Sequence, residues 1–258
     1  MSRSVKALVI TCAAAAIPAL SASAAPVELR VTVRNLAPTN SITFAPLRVG
    51  FGSGAFDSFN IGEAATAPII SIAEGGSGAD WFPAFAAAEP GATLGTVVGM
   101  PAGPLLPGTS ASVDFIVDPA VNRFFTFASM VVPSNDYFIG NDSPTAYELF
   151  DAMGNLNITQ IDQHASDIWD AGSEADNVAN AAFIMGSDND ARIEQGGVVS
   201  FDFEGLSLFN GLTTAAGYTF DLQLESDTPV YSISFEVVPA PSALALLGLT
   251  AAAARRRR

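Results

Sequence analysis

One loop of this chain gathers acids without bases. "DIWDAGSEADN", Asp167 to Asn177, sets Asp167, Asp170, Glu174 and Asp176 around Trp169 with no Lys or Arg among them. Upstream, "SMVVPSNDYFIGNDSP" delivers Asn135 and Asp136 directly after a proline turn, and Asp142 soon after. Carboxylates and backbone carbonyls are hard oxygen donors. His164 is the only histidine and Cys12 the only cysteine, so the donor set disfavours zinc. An adaptable loop offering about six to eight oxygens suits calcium better than the stricter octahedron of magnesium.

Other candidates read more plainly. Asp167, Asp176 and Asp188 are expected to be solvated loop charges, and Asp142 to help cap a following helix. "SDNDAR", Ser187 to Arg192, lacks the Gly and terminal Glu that an EF-hand loop requires. His164 reads as a surface loop residue and Trp169 as a packing anchor beneath the acidic loop. Trp81, next to Phe82, is open to either a packing or a binding role.

The elements that must position these residues show a period of two. Leu29, Val31 and Val33 alternate with Arg30, Thr32 and Arg34, and Val113, Phe115 and Val117 alternate with Ser112, Asp114 and Ile116. Phe220, Leu222 and Leu224, and then Tyr231, Ile233, Phe235 and Val237, repeat the pattern. These predict half-buried strands. "RFFTFASMVV", Arg123 to Val132, is continuously apolar and predicts a central strand buried on both faces. Helix signals are short: Ser143-Pro144 leading into Thr145 to Met153 and stopped by Gly154, and Ile69 to Glu74 stopped by Gly75-Gly76. The stretches 75–78, 90–95 and 99–108 read as loops. The expected fold class is all-β, an antiparallel β-sandwich with long loops and one or two short helices.

Both ends read as addresses. Arg3 and Lys6, the apolar run Ala7 to Leu20 and Ala22-Ser23-Ala24 predict a secretory signal peptide over 1–24. At the far end Val238-Pro239-Ala240-Pro241-Ser242 precedes the apolar run Ala243 to Ala254 and Arg255 to Arg258. The run is shorter than the roughly 20 residues of a comfortable membrane span. A proline box, a short apolar stretch and an arginine cluster, in that order, resemble the PEP-CTERM sorting signal of Gram-negative bacteria, with Ala240 where that signal usually has Glu. The resemblance implies removal of 238–258 by an exosortase-type processing enzyme, only transient membrane contact through this tail, and delivery to the cell surface or extracellular polymer matrix. The remainder, 25–237, is expected to be one domain.

Within that domain Arg30, Arg34, Arg48, Arg123 and Arg192 face all 26 acidic residues, five against 26 or −21 net. Nucleic acid and anionic membranes are poor partners for such a surface, and cations good ones. With Cys12 in the leader, no disulfide braces the domain, so its core, bound metal or both must hold it; its size makes a core sufficient in principle, and metal would relieve the charge repulsion.

The residues "SVDFIVDPAVNRFFTFASMVVPSNDYFIG" followed by "DIWDAGSEADN" resemble the spondin domain of F-spondin and mindin in its bacterial form. Pro133, Ser134, Asn135, Asp136 and Tyr137 match that family's Pro-Ser-x-Asp-aromatic turn. Trp169 through Glu174 match its aromatic-Asp-Ala-Gly-polar-acid run, and "IISIAEGG" resembles its Ala-Glu-x-Gly turn. The similarity covers most of Val27 to Val238, less so from Gly186 to Gly217. It implies a β-sandwich and calcium held by Asp136, Asp170 and Glu174, with Glu174 replacing the family's aspartate and adding a methylene. The cysteines of vertebrate members have no counterpart here.

The expected function is that of a secreted, calcium-binding, non-enzymatic adhesion or binding module, whose partner is an extracellular protein or polysaccharide. Two alternatives are a structural matrix component without a specific partner and a secreted glycoside hydrolase using paired carboxylates. No nucleophile elbow or metal-hydrolase histidine motif supports an enzyme.

Overall fold

The computed structural model of the chain describes residues 25–99 and 101–239. The expected signal peptide, 1–24, and the expected sorting signal from Ala240 onward lie outside them. Two antiparallel sheets pack face to face. One contains β1 (Val27–Asn35), β5 (Ser110–Val117), β8 (Gln160–His164) and β11 (Pro229–Val237) in the order β5-β1-β11-β8. The other runs β10 (Ser200–Phe201), β9 (Trp169–Asp170), β7 (Tyr137–Gly140), β6 (Phe124–Val132), β3 (Leu47–Gly52), β4 (Thr93–Val97), with β2 (Thr43–Phe44) also paired to β6. Helices α1 (Ala67–Gly75) and α2 (Trp81–Ala88) cover the outer face of this larger sheet.

The sequence periods follow from this layering. Leu29, Val31 and Val33 point inward, while on the open face Arg30 grips Asp114 through two 2.8 Å bonds and Thr32 meets Ser112 at 2.8 Å. A sheet wet on one side requires alternation. β6 is buried from Phe125 to Val132 because the four-stranded sheet lies on one side and the helices on the other. Across the sandwich Phe125 meets Phe235 edge-on with ring centroids 4.8 Å apart, and Phe44 meets Tyr231 at 4.5 Å. Each such buried aromatic contributes about 1.5–3 kcal/mol from area alone.

Helix α1 forms over the expected Ile69–Glu74 segment, with Thr66 before it and Gly76 after it at φ 58°. The Gly76 N–H donates to Ile72 and that of Ser77 to Ser71, closing the last turn. Helix α2 has no counterpart among the expected elements. Its docking depends on residues outside it: a Cβ on Gly50 would strike the Phe85 ring and one on Gly52 the Glu89 carboxylate. These glycines in β3 let α2 lie close to the sheet, where Trp81 and Phe85 are buried.

Three local expectations are corrected. The 143–153 segment is a series of turns rather than a helix, because its backbone is claimed by β6: Phe125 donates to Tyr147 at 3.0 Å, and Leu149 donates to Arg123 at 2.7 Å. Phe220 and Leu222 are buried with exposed neighbours between them, as a strand would place them, yet no ladder forms. Their N–H groups go to the Leu212 carbonyl and the Asn210 side chain, and Gln223 turns at φ 48°. Lastly, 90–95 is not wholly loop, since Thr93 begins β4 and pairs with Phe51.

Candidate functional site

Register brings the two acidic stretches together. β7 and β9 pair Tyr137 with Asp170 and Phe138 with Trp169. The turn before β7 and the loop after β9 therefore leave the sheet side by side. Trp169 anchors the arrangement as expected: it is buried, its Nε1 donates to the Gly140 carbonyl at 3.1 Å, and Phe201 stacks on it at 3.7 Å. Gly172 then makes the sharp exit at φ 64°, where a Cβ would lie 2.7 Å from the Val198 backbone.

Asp136 lies wholly inside this junction. Its Oδ2 accepts from Ser173 N at 2.8 Å, Ser173 Oγ at 3.1 Å and Glu174 N at 2.9 Å, whereas Oδ1 is buried without any partner. Asp170 accepts from Gly172 N at 2.6 Å through Oδ1 and stands within hydrogen-bonding reach of Asp136. Burial, and then the neighbouring Asp170, push the Asp136 carboxyl up to about 7. Burial also raises Asp170, and its own N–H bond offsets this only in part. The buried Asp136 and the half-buried Asp170 thus share a site, and among the described residues no Lys or Arg forms an ion pair with either.

The third expected ligand is elsewhere. Glu174 contributes its N–H to Asp136, but its carboxylate turns to Asn135 at 3.2 Å, to Asn180, and to Arg192 at 3.6 Å. Among the described residues no group of three or more His, Cys, Asp or Glu side chains stands in metal-holding geometry. The structure therefore unites Asp136 with Asp170 and leaves the Glu174 carboxylate outside the pair.

Asp176, expected as a solvated loop charge, is exposed and also meets a phenol from β7, as does Asp202. The Tyr137 hydroxyl lies 3.1 Å from Asp176 Oδ2 and 3.1 Å from Asp202 Oδ2. A phenol has one proton, so it satisfies one of them at a time. Burial raises Asp176, and Asp176 and Asp202 both raise Asp170, which extends the acidic site from the buried Asp136 toward the surface, where Asp176 is exposed. Gly205 forms its wall, since a Cβ there would reach 3.0 Å from both carboxylates. The sequence signal for Asp202 was faint, an acid after the lone Phe201 of a two-residue strand.

The remaining candidates are structural. Asp167 accepts from His164 N at 2.8 Å, and His164 itself is half-exposed at the end of β8 rather than in a loop. Asp142 accepts from Ile61 N at 3.1 Å and has no helix to cap. Asp188 is exposed and caps the short turn Asn189–Ala191. Trp81 is fully buried against Phe56 and Phe85, which makes it core.

In comparisons with known proteins, no family model and no curated protein matches this chain.

Proposed function

We propose that the chain is an exported, non-enzymatic binding module whose loop junction is organised by calcium, in the manner of the spondin domain that it resembles. The orphaned Oδ1 of Asp136 carries this reading. A buried acceptor without a partner costs about 1–3 kcal/mol, and more when charged. Here it sits beside a second carboxylate, where the side chains offer a metal only oxygen ligands. A hard dication would satisfy that oxygen and neutralise the pair. Asp136 and Asp170 are the residues that would hold it.

The hydrolase alternative is poorly supported by the same geometry. Glycosidase carboxyls stand about 5–9 Å apart to flank a sugar bond, whereas Asp136 and Asp170 are close enough to share a hydrogen bond and Asp136 is fully buried. The net charge of −21 from five arginines against 26 acids supports cationic or neutral partners in the matrix over nucleic acid.

Calorimetry with and without calcium tests the ion. Chelation is expected to lower the melting temperature, calcium to restore it, and Asp170→Asn to abolish the response. An unchanged wild-type melting curve on adding calcium would refute the ion reading.

A further inference from the structure

At the β10 end of the larger sheet one aromatic ring stands half in water. Phe201 of β10 lies across from Trp169 of β9 and stacks on it, with centroids 3.7 Å and planes 23° apart. Trp169 is 6% exposed and Phe201 51%. With the indole against one face of the phenyl ring, exposure of that size leaves the other face bare. The ring is also held in place. Val199 and Asp202, flanking β10, donate to Glu63 at 2.8 Å and to Ile168 at 3.1 Å, and the indole beneath is fixed by its bond to the Gly140 carbonyl. An exposed aromatic braced in this way and rimmed by polar groups marks an interaction site.

A pocket of about 280 Å³ opens beside the ring, lined by Ser166, Phe201, Asp202, Phe203 and Glu204. Trp169 is not among its walls, so Phe201 turns its uncovered side to this space. The aromatic wall suits a ligand with a flat apolar face of its own. The polar wall is made of acceptors, since Ser166 supplies the one side-chain hydrogen-bond donor in the lining. Asp202 is already engaged by the Tyr137 phenol and by the N–H groups of Glu204 and Gly205. Glu204 is exposed and enters no ion pair among the described residues. Its charge therefore adds to that of a domain with five arginines against 26 acids, which favours a cation and repels an anion.

We propose that this pocket is a subsite for one amino-sugar unit of a cationic polysaccharide, with the pyranose face on Phe201 and the ammonium at Glu204. The inference rests on the reading of the domain as a binding module, for which it names a partner, and not on the calcium site. A neutral sugar would cover the ring but leave the acid unpaired. An arginine or lysine side chain of a partner protein would pair with the acid, yet brings no hydroxyls for Ser166 and no saturated ring for the aromatic wall. The amino sugar supplies all three, and the charge of the domain draws the polymer that carries it.

Titrating the full-length chain in calcium buffer with a β-linked glucosamine oligomer, while NMR follows the Trp169 indole N–H beneath Phe201, tests the site. A saturable shift of that resonance is expected. The N-acetylated oligomer has the same rings without the charge and should bind about threefold more weakly. An oligoarginine peptide has the charge without the rings and should leave the indole unmoved. Phe201→Leu keeps an apolar cover on Trp169 but removes the aromatic face, and should weaken glucosamine binding about tenfold, whereas Phe201→Tyr should retain it. Glu204→Gln should bring the glucosamine oligomer down to the affinity of the N-acetylated one. The proposal is overturned if the glucosamine oligomer gives no saturable shift, if the N-acetylated oligomer or oligoarginine matches it at the indole, or if Phe201→Leu or Glu204→Gln, melting as the wild type does, leaves the affinity unchanged. Binding to isolated native matrix, measured in parallel, separates the two readings. Matrix binding without glucosamine binding overturns only the subsite, and glucosamine binding without matrix binding leaves the subsite standing and counts against the module role.

Discussion

Asp136→Asn should stabilise the ion-free protein and, in the same molecule, erase its response to calcium. In the wild type three donors converge on Oδ2 while Oδ1 is buried without a partner, and Asp170 stands within hydrogen-bonding reach of this carboxyl. Asparagine keeps an acceptor on the Oδ2 side and places an NH₂ where Oδ1 stands, so it can donate to Asp170. A buried like-charge contact becomes a charge-assisted hydrogen bond, a gain of about 1.5–3 kcal/mol. For a domain of this size that corresponds to about 3–12 °C in melting temperature. The wild type should instead gain about 2.7 kcal/mol, or about 5–11 °C, from calcium at a hundred times its dissociation constant. Calorimetry at pH 8, above the value of about 7 to which burial and Asp170 raise this carboxyl, keeps the wild-type pair ionised. In chelator the variant should melt above the wild type, and in calcium the order should narrow or reverse because only the wild type moves. A variant that melts below the wild type in chelator would show that Oδ1 is already satisfied. A full calcium shift in the variant would place the ion elsewhere.

Two further outcomes are expected. Burial pushes the Glu89 carboxyl up, but N–H groups of Ser53, Phe56 and Ala55 outweigh it and hold it below its ordinary 4.5. Its contribution is therefore present above that ordinary value and lost as pH falls through the lower folded value. Glu89→Gln should cost about 1.5–3 kcal/mol in urea unfolding at pH 7, the cost should shrink as pH falls below 4.5, and a cost that stays constant down to acid unfolding would refute the assignment. Deleting 238–258 should leave export intact but release the protein to the medium, and a surface form whose mass shows an intact terminus at Arg258 would count against the sorting-signal reading.

Much of the architecture was legible because burial writes itself into local periods. β1 and β5 face water on one side and alternate; β6 is covered on both sides and does not; β11 alternates in sequence but is buried continuously from Val230 to Ile233. The alternation at Phe220–Leu224 misled because side-chain burial reports which way a residue points, while a strand also needs a neighbour to bond. Helix α2 was hidden for the opposite reason. Its own residues gave a weak signal, and its place is set by two glycines that precede it in β3.

The same division holds at the site. Sequence alone determined the chemistry: oxygen donors without bases, clustered in two stretches, with Trp169 beneath them. Composition fixes charge and donor type wherever the side chains end up. Only the tertiary structure decided which acids meet. Glu174 follows Asp170 by one short loop, yet its carboxylate is drawn away by Asn180 and by Arg192, which Glu74 on a distant helix holds in place. Asp176 and Asp202, separated along the chain, are joined by one phenol from β7. A loop residue's direction depends on partners anywhere in the chain, and no local pattern encodes them.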